Sequence, residues 1–223
     1  MIKSKGWNWK MVEDDSNCVW KIPSIESYYL LDRWKGLGFK SFLDLGCGLG
    51  RHTVLFASND FETYGFDISE EGLKKAKEWL DSLNLKADLK KGDMINLPYE
   101  DNSFDCILCR NVISHQDTEG VKQIIKELYR VLKDNGECYL TLGSKSTWGF
   151  KQTSWTLVDE NTRLRMEEGP EYKTPHFYVD YDLIKVLFKD FKIEFINHIE
   201  DFYESNGKTY SSFHYHVLIK KVK

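Results

Sequence analysis

Residues 41 to 51 read Ser41-Phe-Leu-Asp-Leu-Gly-Cys-Gly-Leu-Gly-Arg51, and this stretch decides the fold. Phe42 to Leu45 is a short, largely apolar run of the kind that forms a strand buried on both faces. The chain then turns through Gly46, Gly48 and Gly50, and a helical pattern follows. Glycines so close together let the backbone turn tightly and approach a ligand. The run is therefore the strand–loop–helix of a nucleotide-type site, and its spacing narrows the ligand. A dinucleotide fingerprint, G-x-G-x-x-G or G-x-G-x-x-A, fails in both registers, at Arg51 and at Thr53. What stands here is D-x-G-x-G-x-G, with Asp44 two residues before the first glycine. A carboxylate there repels a pyrophosphate but serves a cationic ligand, directly or through water.

This run resembles motif I of the class I S-adenosylmethionine-dependent methyltransferases, whose ligand carries a sulfonium, an ammonium and a carboxylate and no phosphate. Further features agree. Thr63 to Asp67 is a second strand, and Asp67 falls where a doubly wound sheet places the acid that holds a ribose diol. Ser69 caps the next helix, which has Glu70 and Glu71 in its first turn. Lys86 to Met94 is a third strand; in the resembled family the acid at its end, here Asp93, accepts from the adenine amino group, and Met94 lies against the ring. Leu97 to Asp105 and Leu128 to Glu137 are also similar to family patterns. Phe104 to Cys109 is strand four and delivers Arg110, Asn111 and His115 to the carboxyl edge, where open α/β sheets bind ligands. Residues 118 to 133 read as an amphipathic helix and Gly136 to Leu142 as strand five.

The expected architecture is a doubly wound α/β, Rossmann-like sheet of seven strands, order 3-2-1-4-5-7-6, with strand 7 antiparallel. One methyltransferase domain is expected over 1–223: a helical cap (1–40), a cofactor-binding core (41–143), a lid (144–179) and a C-terminal hairpin of the sheet (180–223). The cap holds Trp7, Trp9, Trp20 and Trp34, with core packing as the ordinary role for any one of them and closure over the ligand as the alternative for some. The lid shows no strand or helix rhythm before Val179 but holds Trp148, Trp155, Arg165 and His176. Arg163 and Arg165 are followed by Glu167 and Glu168 and read as a solvated charged loop. Glu204-Ser-Asn-Gly-Lys208 reads as the tip of the last hairpin.

The resemblance implies S-adenosylmethionine as cofactor, S-adenosylhomocysteine as its product, and a cofactor site built from Asp44, Gly46, Cys47, Gly48, Arg51, Asp67, Ile68, Asp93, Met94 and Arg110. Methyl transfer needs positioning and exclusion of water, and sometimes a base. His115 and His176 are the expected catalytic residues; on the last strand His214 is better placed than His216. The net charge of −4 argues against a general nucleic-acid binder. The motifs of amino-directed DNA methyltransferases and of cytosine-C5 enzymes are missing after strand four, where Cys109-Arg-Asn-Val112 stands. An aromatic lid suits a small, partly apolar acceptor. The alternatives are a protein or RNA methyltransferase, a nicotinamide oxidoreductase, and a non-catalytic adenosylmethionine binder.

Five cysteines (18, 47, 106, 109 and 138) fit a reducing cytoplasm, and Cys106 and Cys109 read as small core residues, so no metal site is expected. No signal peptide and no membrane-spanning run is read, and the oligomeric state is left open.

Overall fold

The structure is a computed structural model that describes residues 2, 4–11, 19–205 and 208–223. Cys18 and the Asn206-Gly207 tip of the expected hairpin lie outside the described residues. Parallel pairing joins β1 (Ser41–Leu45), β2 (Glu62–Asp67), β3 (Asp88–Lys91), β4 (Phe104–Cys109) and β5 (Leu132–Ser144) in the order 3-2-1-4-5. The hairpin of β9 (Phe191–Ser205) and β10 (Lys208–Lys221) completes the sheet, with β10 antiparallel to β5. In chain order these are the sixth and seventh strands of the expected 3-2-1-4-5-7-6 sheet.

The helices follow from local signals. Ser69 and Asp117 cap α3 (Glu70–Ser82) and α4 (Thr118–Val131) by accepting from Gly72 N and Gly120 N. Gly50, at φ 86°, opens α2 (Arg51–Ala57). On one side of the sheet Phe42 stacks on Phe56, with ring centroids 3.7 Å apart, and Trp34 packs against both. Trp34 belongs to α1 (Ile25–Gly36), which is pinned to β5 by Glu137. The Glu137 carboxylate, 1% exposed as a residue, accepts from Arg33 Nε and Nη2 at 2.8 and 2.7 Å and from Trp34 Nε1 at 2.9 Å. A buried carboxylate is tolerable only with partners of this kind.

The segment 144–179 departs from the sequence reading. It is ordered by α5 (Trp148–Lys151) and by three short strands, β6 (Thr156–Asp159), β7 (Thr162–Leu164) and β8 (Pro175–Val179). These form an antiparallel meander, and β8 also pairs in parallel with the end of β5 through Gly143↔Tyr178 and Ser144↔Val179. Phe177 and Val179 are fully buried in the main core, and Asp159 binds Thr118 N and Oγ1 at 3.0 and 2.9 Å at the start of α4. The segment is thus an extension of the sheet rather than a detachable loop. Strands of three to five residues are too short to show a period, which is why the sequence pattern hides them. After β8 comes α6 (Tyr181–Leu187), capped by Asp180. Among the described residues no helix is long and apolar enough to cross a membrane.

Candidate active site

Because β1 to β4 run in parallel, their carboxyl ends share one edge, and a cavity of about 610 Å³ lies along it. One half of its wall is built from those strand ends. Gly46, Cys47, Gly48 and Arg51 come from the loop after β1, Asp67 and Ile68 from the end of β2, Asp93 and Met94 from the segment after β3, and Arg110 from the end of β4. The loop needs its glycines at two places in particular. Gly46 (φ 77°) and Gly48 (φ 53°) are left-handed, and a Cβ on either would run into Val112 or the Trp9 ring.

Asp67 organises this half. Its Oδ2 accepts from Gly48 N at 2.8 Å and its Oδ1 from Ser69 N at 2.7 Å, so the carboxylate ties the glycine loop to the start of α3 while facing the cavity. Burial raises its pKa, and the two amides oppose that shift. Asp93 is placed similarly, with Oδ1 accepting from Ile95 N at 3.2 Å.

Asp44 differs from the expectation. It is absent from the cavity wall and 2% exposed, and its Oδ2 accepts from Thr53 N and Thr53 Oγ1 at 2.9 and 2.7 Å. Mid-strand in a parallel sheet, its side chain points under the loop and holds the first turn of α2. Burial pushes its carboxyl up to about 6 in spite of the Thr53 bonds. His52 lies beside it, Nδ1 4.0 Å from Asp44 Oδ1, and its Nε2 accepts from Ser24 N at 3.2 Å. That bond assigns a neutral imidazole with its proton on Nδ1, and burial holds the group well below its usual pKa. Asp44 therefore supports the loop through Thr53. Cys47 lines the wall, but burial, with Asp44 and Asp67 nearby, lifts its thiol well above the ordinary range.

The other half of the wall comes from elsewhere. His115, in the loop after β4, and His176, on β8, meet with ring centroids 5.2 Å apart. Between them stands Glu171, which sequence reasoning missed. Glu171 Oε1 is 3.3 Å from His115 Nε2, and Glu171 Oε2 is 3.7 Å from His176 Nε2. Arg165 Nη1 also binds Glu171 Oε2, so Arg165 lines the cavity instead of standing in a solvated loop. Burial works against the Glu171 carboxylate, but the His115 bond and the Arg165 charge hold it below the usual range; burial lowers His176. Trp155 and Tyr178 flank the His176 ring, with centroids at 6.0 and 6.4 Å.

Two histidines on the last strand separate as expected. His214 lines the cavity and pairs with Asp201 at 3.5 Å, whereas His216 is buried with Nδ1 2.5 Å from Tyr139 Oη.

The tryptophans of the cap divide between the two roles left open by the sequence, those before α1 lying in an N-terminal strap. Trp34 is core, but Trp7, Trp9 and Trp20 cluster with centroids 4.9 to 5.9 Å apart and line the cavity. The strap meets the extension of the sheet over the cavity: Asn8 N donates to Pro170 O at 3.1 Å, and Lys5 Nζ donates to Tyr172 O. Gln116 Nε2 donates to Ser4 Oγ. Cys106 and Cys109 are fully buried.

Comparison with known proteins agrees with this geometry. Residues 42–136 match a family model described as a methyltransferase domain. Over 119 residues the chain is 35% identical to a demethylmenaquinone methyltransferase of Bacillus mycoides, covering 49% of this chain and 48% of that protein. It is 31% identical over 131 residues to a bifunctional biotin biosynthesis protein of Teredinibacter turnerae, covering 54% of this chain and 22% of that one. The aligned region thus spans about half or less of these relatives' length. A crystal structure of an S-adenosylmethionine-dependent methyltransferase from Clostridium acetobutylicum superposes with a TM-score of 0.68 at 20% identity, over 88% of this chain and 91% of that one. At that identity the likeness is one of fold.

Proposed function

We propose that residues 42–136, which match a methyltransferase-domain model, make this chain a class I S-adenosylmethionine-dependent methyltransferase that transfers a methyl group to a small-molecule acceptor. The single observation that carries the reading is the cavity itself. It joins the strand-end wall to the His115–Glu171–His176 wall in one space of about 610 Å³, roofed by the strap and the extension of the sheet. A space of that size suits the donor with a small acceptor.

The residues present fit the donor. Asp67 and Asp93 offer carboxylates to a ribose diol and an adenine amino group, with Met94 beside the ring. Arg110 Nε is buried without a hydrogen-bond partner, 3.7 Å from Glu26 Oε2, and suits the donor's carboxylate. Bound S-adenosylmethionine supplies a methyl carbon already activated by its sulfonium.

The chain's own contribution is placement, dryness and proton handling. Trp7, Trp9 and Trp155 exclude water from the methyl end. His115 and His176 hold the acceptor. With Nε2 donating to Glu171, His115 keeps its acceptor lone pair on Nδ1, where a hydroxyl or amine acceptor deposits its proton. The relatives whose names point to quinone and biotin synthesis support a small acceptor. The test is a panel of small acceptors incubated with methyl-labelled donor and read by product mass. Label on a small molecule is the expected result; label found only on protein or RNA would refute it.

A further inference from the structure

We propose that His115, His176 and Glu171 form a binding site for a divalent transition-metal cation at the acceptor end of the cavity. One ligand atom from each residue lies within 4.8 Å of the other two. His115 Nε2 lies 3.3 Å from Glu171 Oε1, and His176 Nε2 lies 3.7 Å from Glu171 Oε2. Ligand atoms arranged tetrahedrally about 2.1 Å from a zinc-type ion stand about 3.4 Å apart, a spacing the pair of His115 Nε2 and Glu171 Oε1 already has. The remaining adjustment is a movement of His176 Nε2 from Oε2 toward Oε1 and His115, whose ring is its neighbour.

A second observation is independent of spacing. His176 Nε2 is buried and has no hydrogen-bond partner. Buried ring nitrogens are nearly always satisfied, and this one is aimed at the carboxylate from beyond bonding distance. A shared cation would satisfy it. Arg165 binds Glu171 Oε2, the oxygen His176 faces, and leaves Oε1 toward His115 as the ligating oxygen. An outer partner on the non-ligating oxygen is the ordinary way to orient a metal-bound carboxylate.

Two imidazoles and one carboxylate select zinc, cobalt, nickel or ferrous iron over magnesium or calcium, which prefer all-oxygen sets. Three protein ligands leave a position open, as in reactive rather than structural metal sites. All three residues line the cavity, so that position is available to an acceptor oxygen, nitrogen or sulfur. The expectation of no metal rested on cysteine spacing. These ligands have no such signature, being 56 and 5 residues apart along the chain. The inference goes beyond methyl transfer and is read by metal binding alone; with a cation bound, His115 and His176 act as ligands and the cation acidifies the acceptor.

The experiment uses tag-free, chelator-stripped protein titrated with cobalt(II) chloride, followed by visible absorption and calorimetry. One equivalent should bind, with the visible bands of a four- or five-coordinate ion and no thiolate charge-transfer band. His176→Ala and Glu171→Gln should each weaken binding by about a hundredfold or more, since each removes a ligand. Calorimetry with S-adenosylhomocysteine shows that each variant is folded, and His115→Asn replaces any that is not. Failure of the wild-type protein to take up cobalt, a thiolate band, or full binding by a folded His176→Ala variant would each overturn the proposal.

Discussion

The two walls of the cavity are made in different ways. Every residue of the first follows closely on the end of a parallel strand: Gly46 after β1, Asp67 at the end of β2, Asp93 after β3, Arg110 after β4. Their convergence is a consequence of topology. The second wall brings His115, Glu171, Arg165, His176 and His214 together from a loop, a three-strand meander and an antiparallel strand. Their convergence depends on packing. The first wall therefore belongs to the fold, and the second to this chain.

The comparison predicts a difference in robustness. Trp155 is 4% exposed, packs edge-on against Trp148 at 5.4 Å and donates from Nε1 to Glu167 Oε1 at 2.6 Å. Trp155→Ala should cost about 3–5 kcal/mol of stability, because a large buried ring leaves a cavity behind. Cofactor affinity should change less than twofold once the variant is folded. Denaturant unfolding with calorimetry checks both, and an undiminished midpoint would mean that the meander opens independently of the main core.

The next effect falls on the first wall. Asp67→Asn keeps the shape but removes a charge whose hydrogen bonds are worth roughly 1.5–3 kcal/mol each. Donor affinity should fall at least about tenfold, an effect that combines lost ribose contacts with a loosened Gly48 and Ser69. Equal affinities in calorimetry would place the ribose elsewhere.

How much of each wall is legible in the chain follows from the same contrast. Asp67 could be located because its distance from Gly46 is set by one helix and one strand. The glycine loop could be read because backbone conformations at Gly46 and Gly48 exclude side chains. Asp44 was placed on β1, but its bonds to Thr53 were not foreseen, since spacing says nothing about which side of a loop a carboxylate faces. Glu171 carried no signal. It lies in a turn between Pro170 and Tyr172, and its role exists only when the meander folds against His115. Trp7 and Trp9 were legible as candidates to close over the ligand, but composition could not say which of the cap's aromatics do so.

The smallest effect belongs to the opposite edge of the sheet, away from both walls. Asp105 accepts from Lys40 N, Ser41 N and Ser41 Oγ at 2.9 Å each and from Lys133 Nζ at 2.9 Å. Burial opposes ionisation there, but these donors hold the carboxyl at about 2. A carboxyl depressed in the folded state stabilises above its unfolded value and loses that contribution as pH falls. After allowance for solvent screening of a partly exposed carboxyl, about 1 kcal/mol should therefore disappear between about pH 4 and pH 2. Asp105→Asn should flatten that limb of the stability–pH curve and leave donor affinity unchanged. A curve identical to wild type would remove Asp105 from the account.

The central claim is that the strand-end wall is a site for a sulfonium nucleoside and not for a dinucleotide. Isothermal titration with S-adenosylhomocysteine and, separately, with NAD tests it most directly. Saturable binding of the homocysteine compound, lost in Asp67→Asn, with no heat from NAD at the same concentrations, is the predicted result. Tight binding of NAD with none of S-adenosylhomocysteine would contradict it.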